Sequence, residues 1–91
     1  MDIQIDPHTL LRAKERGVNE AEIIDVINNG FMIDSKYGRF GKAKLYEFRQ
    51  YRLNKYYEQK RVEVFYIIEK NRIITVTVYV FYGEWEVLIW I

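Results

Sequence analysis

Arg72-Ile-Ile-Thr-Val-Thr-Val-Tyr-Val-Phe-Tyr82 is an uninterrupted run of β-branched and aromatic side chains, with no Gly, Pro, Asp or Asn. Crowded Cβ atoms disfavour a helix and suit a pleated surface, so the run predicts a central strand. Strict alternation gives it two unlike faces. Ile74, Val76, Val78 and Val80 point one way and are purely apolar. Thr75, Thr77, Tyr79 and Phe81 point the other way and mix hydroxyls with rings. The valine face is expected on a core. The Thr/Tyr face is left for a partner, and what it touches is the functional question.

Outward from this strand, period-two patterns continue in both directions. Arg61 to Glu69 alternates Val62, Val64, Tyr66 and Ile68 with more polar neighbours, and Lys70-Asn71 fits a two-residue hairpin turn because Asn tolerates positive φ. Leu53 to Lys60 reads as a polar connection, Lys44 to Arg52 as a strand rich in Tyr and Arg, and Asp34 to Lys42 as a loop carrying Gly38 and Gly41. Phe31 to Ile33 is a short strand. Beyond Gly83, Glu84 to Ile91 alternates again. Its apolar end places it in the core or in a homodimer interface formed by Trp85 to Ile91.

The N-terminal third changes period. Asp6-Pro7 is a helix start, and Gly17 is the left-handed stop after Arg16. Asn19 with Glu22 forms a capping box for a second helix, which ends at Asn28-Asn29-Gly30. The expected architecture is α+β, with two N-terminal helices packed on one face of a four- to five-stranded antiparallel sheet in a single domain, residues 1–91.

The 91 residues contain no cysteine, which excludes disulfides, thiolate metal sites and a thiol nucleophile. One histidine and scattered carboxylates supply no metal-ligand cluster, so neither metal nor cofactor is expected. The Gly38/Gly41 loop lacks the spacing of a phosphate-binding loop. The N-terminal residues have no signal-peptide pattern, and no apolar run approaches the roughly 20 residues of a membrane helix. The expectation is a soluble cytoplasmic protein with no membrane partner.

Net charge is only +1, but it is unevenly spread. Between Lys36 and Arg61 nine Lys/Arg stand against Glu47 and Glu58, whereas the rest of the chain holds five basic and eleven acidic residues. A basic block of this kind faces a polyanion or protects a hairpin edge from aggregation, and the sequence leaves both readings open.

His8-x3-Arg12-x3-Arg16-Gly17-Val18, followed by a capped helix, resembles the opening of a family of small bacterial proteins known as domain of unknown function 4258. Ile73-Ile74-Thr75-Val76 with Tyr79, and Trp85 shortly afterwards, resemble its closing strand. The chain departs from that pattern in the added Thr77-Val78 and in a longer aromatic tail. The family is grouped with RelE/ParE-like toxins, within the fold that includes barnase, EndoU and colicin ribonuclease domains. The resemblance implies an α-α-β-β-β-β order, a toxin or metal-independent ribonuclease acting on RNA, and an antitoxin partner.

Metal-free RNA cleavage needs a base for the 2′-hydroxyl, cations for the phosphorane and an acid for the leaving oxygen. The candidates are His8, Arg49, Arg52 and Tyr79. Lys36, Arg39, Lys42 and Lys44 are candidate phosphate partners, and Tyr46, Tyr51, Thr75 and Thr77 candidate contacts for unpaired bases. With helices on the valine face, His8 lies on the opposite side of the sheet from Thr75, Thr77 and Tyr79. Nucleic acid is therefore expected on the open face, with His8 apart from it. The alternative is a non-catalytic RNA- or protein-binding module of the same fold.

Overall fold

The computed structural model describes residues 1–85. β1 (Asp2–Gln4) leads into α1 (Pro7–Arg16) and α2 (Glu20–Asn29), and β2 (Phe31–Ile33), β3 (Phe40–Arg52), β4 (Lys55–Glu69) and β5 (Arg72–Gly83) follow. The sheet order is β1-β5-β4-β3-β2, with the long β4 at its centre.

Both helices form for the reasons their termini suggest. The Asp6 carboxylate accepts the His8 amide at 2.9 Å, and Pro7 occupies the first turn. Gly17 stops α1 at φ 88°, and the Val18 amide reaches back to the Ala13 carbonyl at 2.8 Å. The Asn19 side chain accepts the Glu22 amide at 2.8 Å while Glu22 accepts the Asn19 amide at 3.1 Å, a complete capping box. Ala13, Val18, Ile23, Val26 and Ile27 then bury against Val62, Val64, Tyr66 and Val78 of the sheet. This layer is the core.

The expected α+β class and a helix pair followed by four strands are present, but a strand, β1, precedes the helices. The all-antiparallel sheet is not present. β1 joins β5 in parallel, pairing Ile3 with Ile73, so the sheet is mixed. Three residues next to the N-terminus carry too little periodicity to announce a strand. The expected strand over Glu84 to Ile91 falls outside the described residues except for Glu84 and Trp85, which lie in no strand. The Trp85–Ile91 homodimer interface is likewise outside them.

Strand boundaries also shift. β4 begins at Lys55, so the polar connection over Leu53 to Lys60 is in fact a two-residue turn. Leu53 and Asn54 take φ of 51° and 68°, and Lys70 and Asn71 take 49° and 63°, so both long hairpins close through left-handed residue pairs. The Tyr- and Lys-rich start of β4 mimics a loop because its residues are polar or aromatic and only Lys60 among them is buried.

The main departure lies inside the opening stretch. Tyr66 pairs with Thr75 and Phe65 with Thr77, so Val76 is an extra residue, a β-bulge. One inserted residue inverts the alternation beyond it. Val78 and Val80 face the helices as expected, but so do Ile73 and Thr75, while Ile74 goes to the open face with Thr77, Tyr79 and Phe81. Thr75 is 3% exposed, and its hydroxyl accepts the Asp6 amide at 3.0 Å. It therefore does not belong to the open face. The hydroxyl supplies the α1 N-terminus with a partner that valine lacks. Thr75→Val is expected to cost about 1–2 kcal/mol by orphaning that amide, while Thr77→Val stays within about 0.5 kcal/mol. Urea unfolding of both variants checks this, and unbroken alternation would reverse the order.

Candidate nucleic-acid interface

The loop between β2 and β3 turns through Tyr37 and Gly38, at φ of 59° and 69°, and is closed by the Arg39 amide on the Lys36 carbonyl at 3.2 Å. It overhangs the open face of β4 and β5. The cleft beneath it has a volume of about 250 Å³. Asp34, Ser35, Lys36, Tyr37 and Arg39 line it from the loop, and Phe65, Thr77 and Tyr79 from the sheet. Tyr79 meets Phe65 edge to face with ring centres 5.9 Å apart and remains 44% exposed. Among the described residues, Lys36 and Arg39 form no ion pair with a carboxylate. The cleft thus combines two cations, exposed rings and a threonine hydroxyl. Those groups suit a flat aromatic ligand carrying negative charge.

Four of the twelve residues anticipated from sequence converge here: Lys36, Arg39, Thr77 and Tyr79. The others lie elsewhere. His8 sits exposed on the first turn of α1. Arg49 occupies a second bulge, at φ 47°, between Glu47 at 3.4 Å and Glu58 at 3.8 Å, beside Glu84. Tyr51 lies near the β3–β4 hairpin turn, edge to face with Tyr56. Lys42 pairs with Met32 and Val64 and is half-exposed.

Arg52 lies 4.9 Å over the Tyr82 ring and donates to the Glu15 carbonyl at 3.0 Å. Tyr82 itself donates to the Arg16 carbonyl at 2.6 Å. Lys60, only 7% exposed, donates to the Gly17 carbonyl at 3.0 Å and pairs with Glu22 at 2.8 Å. Three consecutive carbonyls at the end of α1 are therefore each bound by a sheet side chain.

Lys44 and Tyr46 point to the helix side as well. Asp25 on α2 accepts from Lys44 at 2.6 Å, from Tyr46 at 2.5 Å and from Asn29 at 2.8 Å. The Lys44 hydrogen bond, with those from Tyr46 and Asn29, holds the Asp25 carboxyl well below the usual carboxylate range. Burial, then the neighbouring Asp25 carboxylate, pushes the Tyr46 phenol up. Arg61 pairs with Glu63 at 2.9 Å and lies 5.2 Å over Phe31. The basic block is thus largely consumed within the fold. Lys44, Arg49, Lys60 and Arg61 have carboxylate partners and Arg52 a helix carbonyl, which among the described residues leaves Lys36, Arg39, Lys42 and Lys55.

Tyr37, Phe65 and Asp34 were not anticipated as site residues. Tyr37 carried a signal, an aromatic beside Gly38 in a basic loop. Phe65 carried none, since any strand aromatic reads as packing.

The fold defines a two-layer α+β protein with an overhung cleft on the sheet face opposite the helices. Residues 5–80 match the family model described as Domain of unknown function (DUF4258), and the chain belongs to that family. Neither a curated protein nor a solved structure matches it. Among the described residues no helix is long and apolar enough to cross a membrane.

The Asp25 network makes stability acid-sensitive in a definite direction. A carboxyl depressed in the folded state contributes fully above its unfolded value, near 4, and loses that contribution as pH falls below it. Asp25→Asn removes this proton linkage. The variant is expected to lose less stability than the parent between about pH 5 and pH 2.5, as read from urea midpoints across that range.

Proposed function

We propose that this protein is a binding module for single-stranded RNA, with its contact surface in the cleft beneath the β2–β3 loop. The observation that carries this reading is the convergence of Lys36 and Arg39, free of carboxylate partners among the described residues, with the exposed Tyr79 ring. A charged backbone needs cations, and an unstacked base needs an aromatic platform. Duplex RNA presents neither face of its bases, so the expected ligand is unpaired.

A second reading keeps the same site and adds turnover, as in a RelE-like, metal-independent ribonuclease with a toxin role and an antitoxin partner. Its support is that Asp34 and Tyr79 line the same cleft as the two cations. A carboxylate base, two phosphate partners and a phenol acid complete the set such chemistry needs. His8, Arg49 and Arg52 are not among the residues lining this cleft. In this reading cleavage does not run through them.

One experiment tests both readings. Fluorescently labelled single-stranded RNA is titrated with the protein in EDTA over a salt series, and each sample is then run on a denaturing gel. Retention that weakens steeply with salt, without product, is expected. Lys36→Gln/Arg39→Gln should lower the slope of log K against log salt by about 1.4, two phosphates at about 0.7 each. Tyr79→Ala should weaken binding about tenfold or more and Tyr79→Phe much less. Product ending in cyclic phosphate, lost in Tyr79→Phe while binding persists, selects the ribonuclease. No salt-dependent retention at all removes both.

A further inference from the structure

Arg16 belongs to the polar stripe of α1, on the helix side of the sheet, yet it reaches the open face. β1 pairs with β5 only over Arg72 to Ile74. Among the described residues, β5 from Thr75 onward has a strand neighbour on one side alone, and α1 side chains meet carbonyls along it. The Thr9 hydroxyl donates to the Val76 carbonyl at 3.3 Å, and the Arg16 guanidinium donates to the Val78 carbonyl at 2.5 Å. That bond carries Arg16 past the strand edge, and its guanidinium carbon stands 5.7 Å from the centre of the Tyr79 ring. The polar stripe and the Thr/Tyr face, expected on opposite sides, meet at this point.

Resting on the RNA-binding reading above, we infer that Arg16 is the third cation of the site and binds the phosphate next to the one held by Lys36 and Arg39. The ligand is then a strand of at least two nucleotides that crosses Tyr79 toward the β5 edge, not a mononucleotide. Three observations support this. Arg16 and the loop cations approach Tyr79 from different elements, α1 and the β2–β3 loop, so a strand lying over that ring meets both. A guanidinium has five N–H donors, and the Val78 carbonyl takes one, which leaves donors in a planar fork suited to a phosphate. Finally, the reach of Arg16 is fixed in advance. Its own carbonyl is held by Tyr82 and its head by Val78, so little side-chain freedom is lost on binding.

The test compares uridine 5′-monophosphate with a four-nucleotide oligouridylate on the full chain, parent and Arg16→Gln. The expected result is unchanged monophosphate affinity, a tetranucleotide affinity reduced about five- to tenfold at low salt, and a salt slope lower by about 0.7. Arg16→Lys should keep the slope, since charge is retained, while losing part of the affinity with the planar fork. Equal losses for both ligands would reduce Arg16 to a support for Tyr79 and overturn the inference. Loss for neither would overturn it as well. If the parent retains no RNA and no monophosphate, the RNA reading itself fails, a result distinct from these two. Should Arg16→Gln not fold, the NMR signal of the Arg16 side-chain Nε–H in the parent decides the matter. It is expected to shift with the tetranucleotide and not with the monophosphate, and an unmoved signal under saturating tetranucleotide overturns the proposal.

Discussion

The end of α1 is the point on which the rest of the structure depends. A helix leaves its last carbonyls without partners, and here the chain also has to turn sharply at Gly17 to launch α2. The Arg16 and Gly17 carbonyls are partly withdrawn from water, with Val18 buried beside them at 2% exposure. The sheet serves them instead. Arg52, Tyr82 and Lys60, from β3, β5 and β4, bind the carbonyls of Glu15, Arg16 and Gly17 in turn. Two of the three donors are cations, and a helix C-terminus is where positive charge is favoured. Lys60 also takes the Glu22 carboxylate, and Glu22 closes the α2 capping box. One buried lysine therefore joins the stop of the first helix, the start of the second and the central strand.

The Val76 bulge settles the other contact of α1 with the sheet. An unbroken β5 would put valine, not threonine, beside the start of the helix, and the Asp6 amide would face methyl groups. The extra residue turns Thr75 inward to accept that amide, then restores Val78 and Val80 to the core. The same bulge lies on the stretch of β5 that, among the described residues, has no second strand beside it. Thr9 and Arg16 bind carbonyls there. Side-chain capture of an edge limits its use as a template for another chain.

What was legible in the sequence divides along physical lines. Helix caps, the Gly17 stop and the Lys70-Asn71 turn depend on neighbours within a few residues, and each is where local chemistry places it. The hydrophobic period identified β4 and β5 for the same reason. A three-residue parallel strand depends on Ile73, some seventy positions away, and leaves no local trace. The bulge is equally silent, since Ile-Thr-Val-Thr-Val permits unbroken alternation, and only the helix amide waiting above Thr75 selects the break. At the site, Lys36, Arg39, Thr77 and Tyr79 were readable because a basic Gly loop precedes a strand with a hydroxyl-and-ring face. Arg49, Arg52, Lys44 and Tyr46 lie away from that cleft, and the sequence did not show it, because residue type does not reveal which partner is present.

Charge along the chain is therefore a poor guide to charge on the surface here. Part of the basic block answers acidic side chains of α2 and carbonyls of α1, and part answers carboxylates of the sheet itself. Asp25 and Glu22 on α2 call for Lys44 and Lys60, and the α1 carbonyls call for Arg52. The basic residues of the sheet are thus matched partly across the layer contact, by Asp25 and Glu22, and partly within the sheet, by Glu47, Glu58 and Glu63. Such pairs cancel locally and contribute little to a long-range field. The cations that matter for a ligand are those left over after this matching, and their positions follow from topology. Lys36 and Arg39 lie in a loop that no helix covers, and Arg16 is displaced from its own layer by the unpaired edge of β5. All three approach Tyr79. The aromatic ring that the opening strand presents to the open face is thus a position, among the described residues, where cations without a carboxylate partner come from both layers.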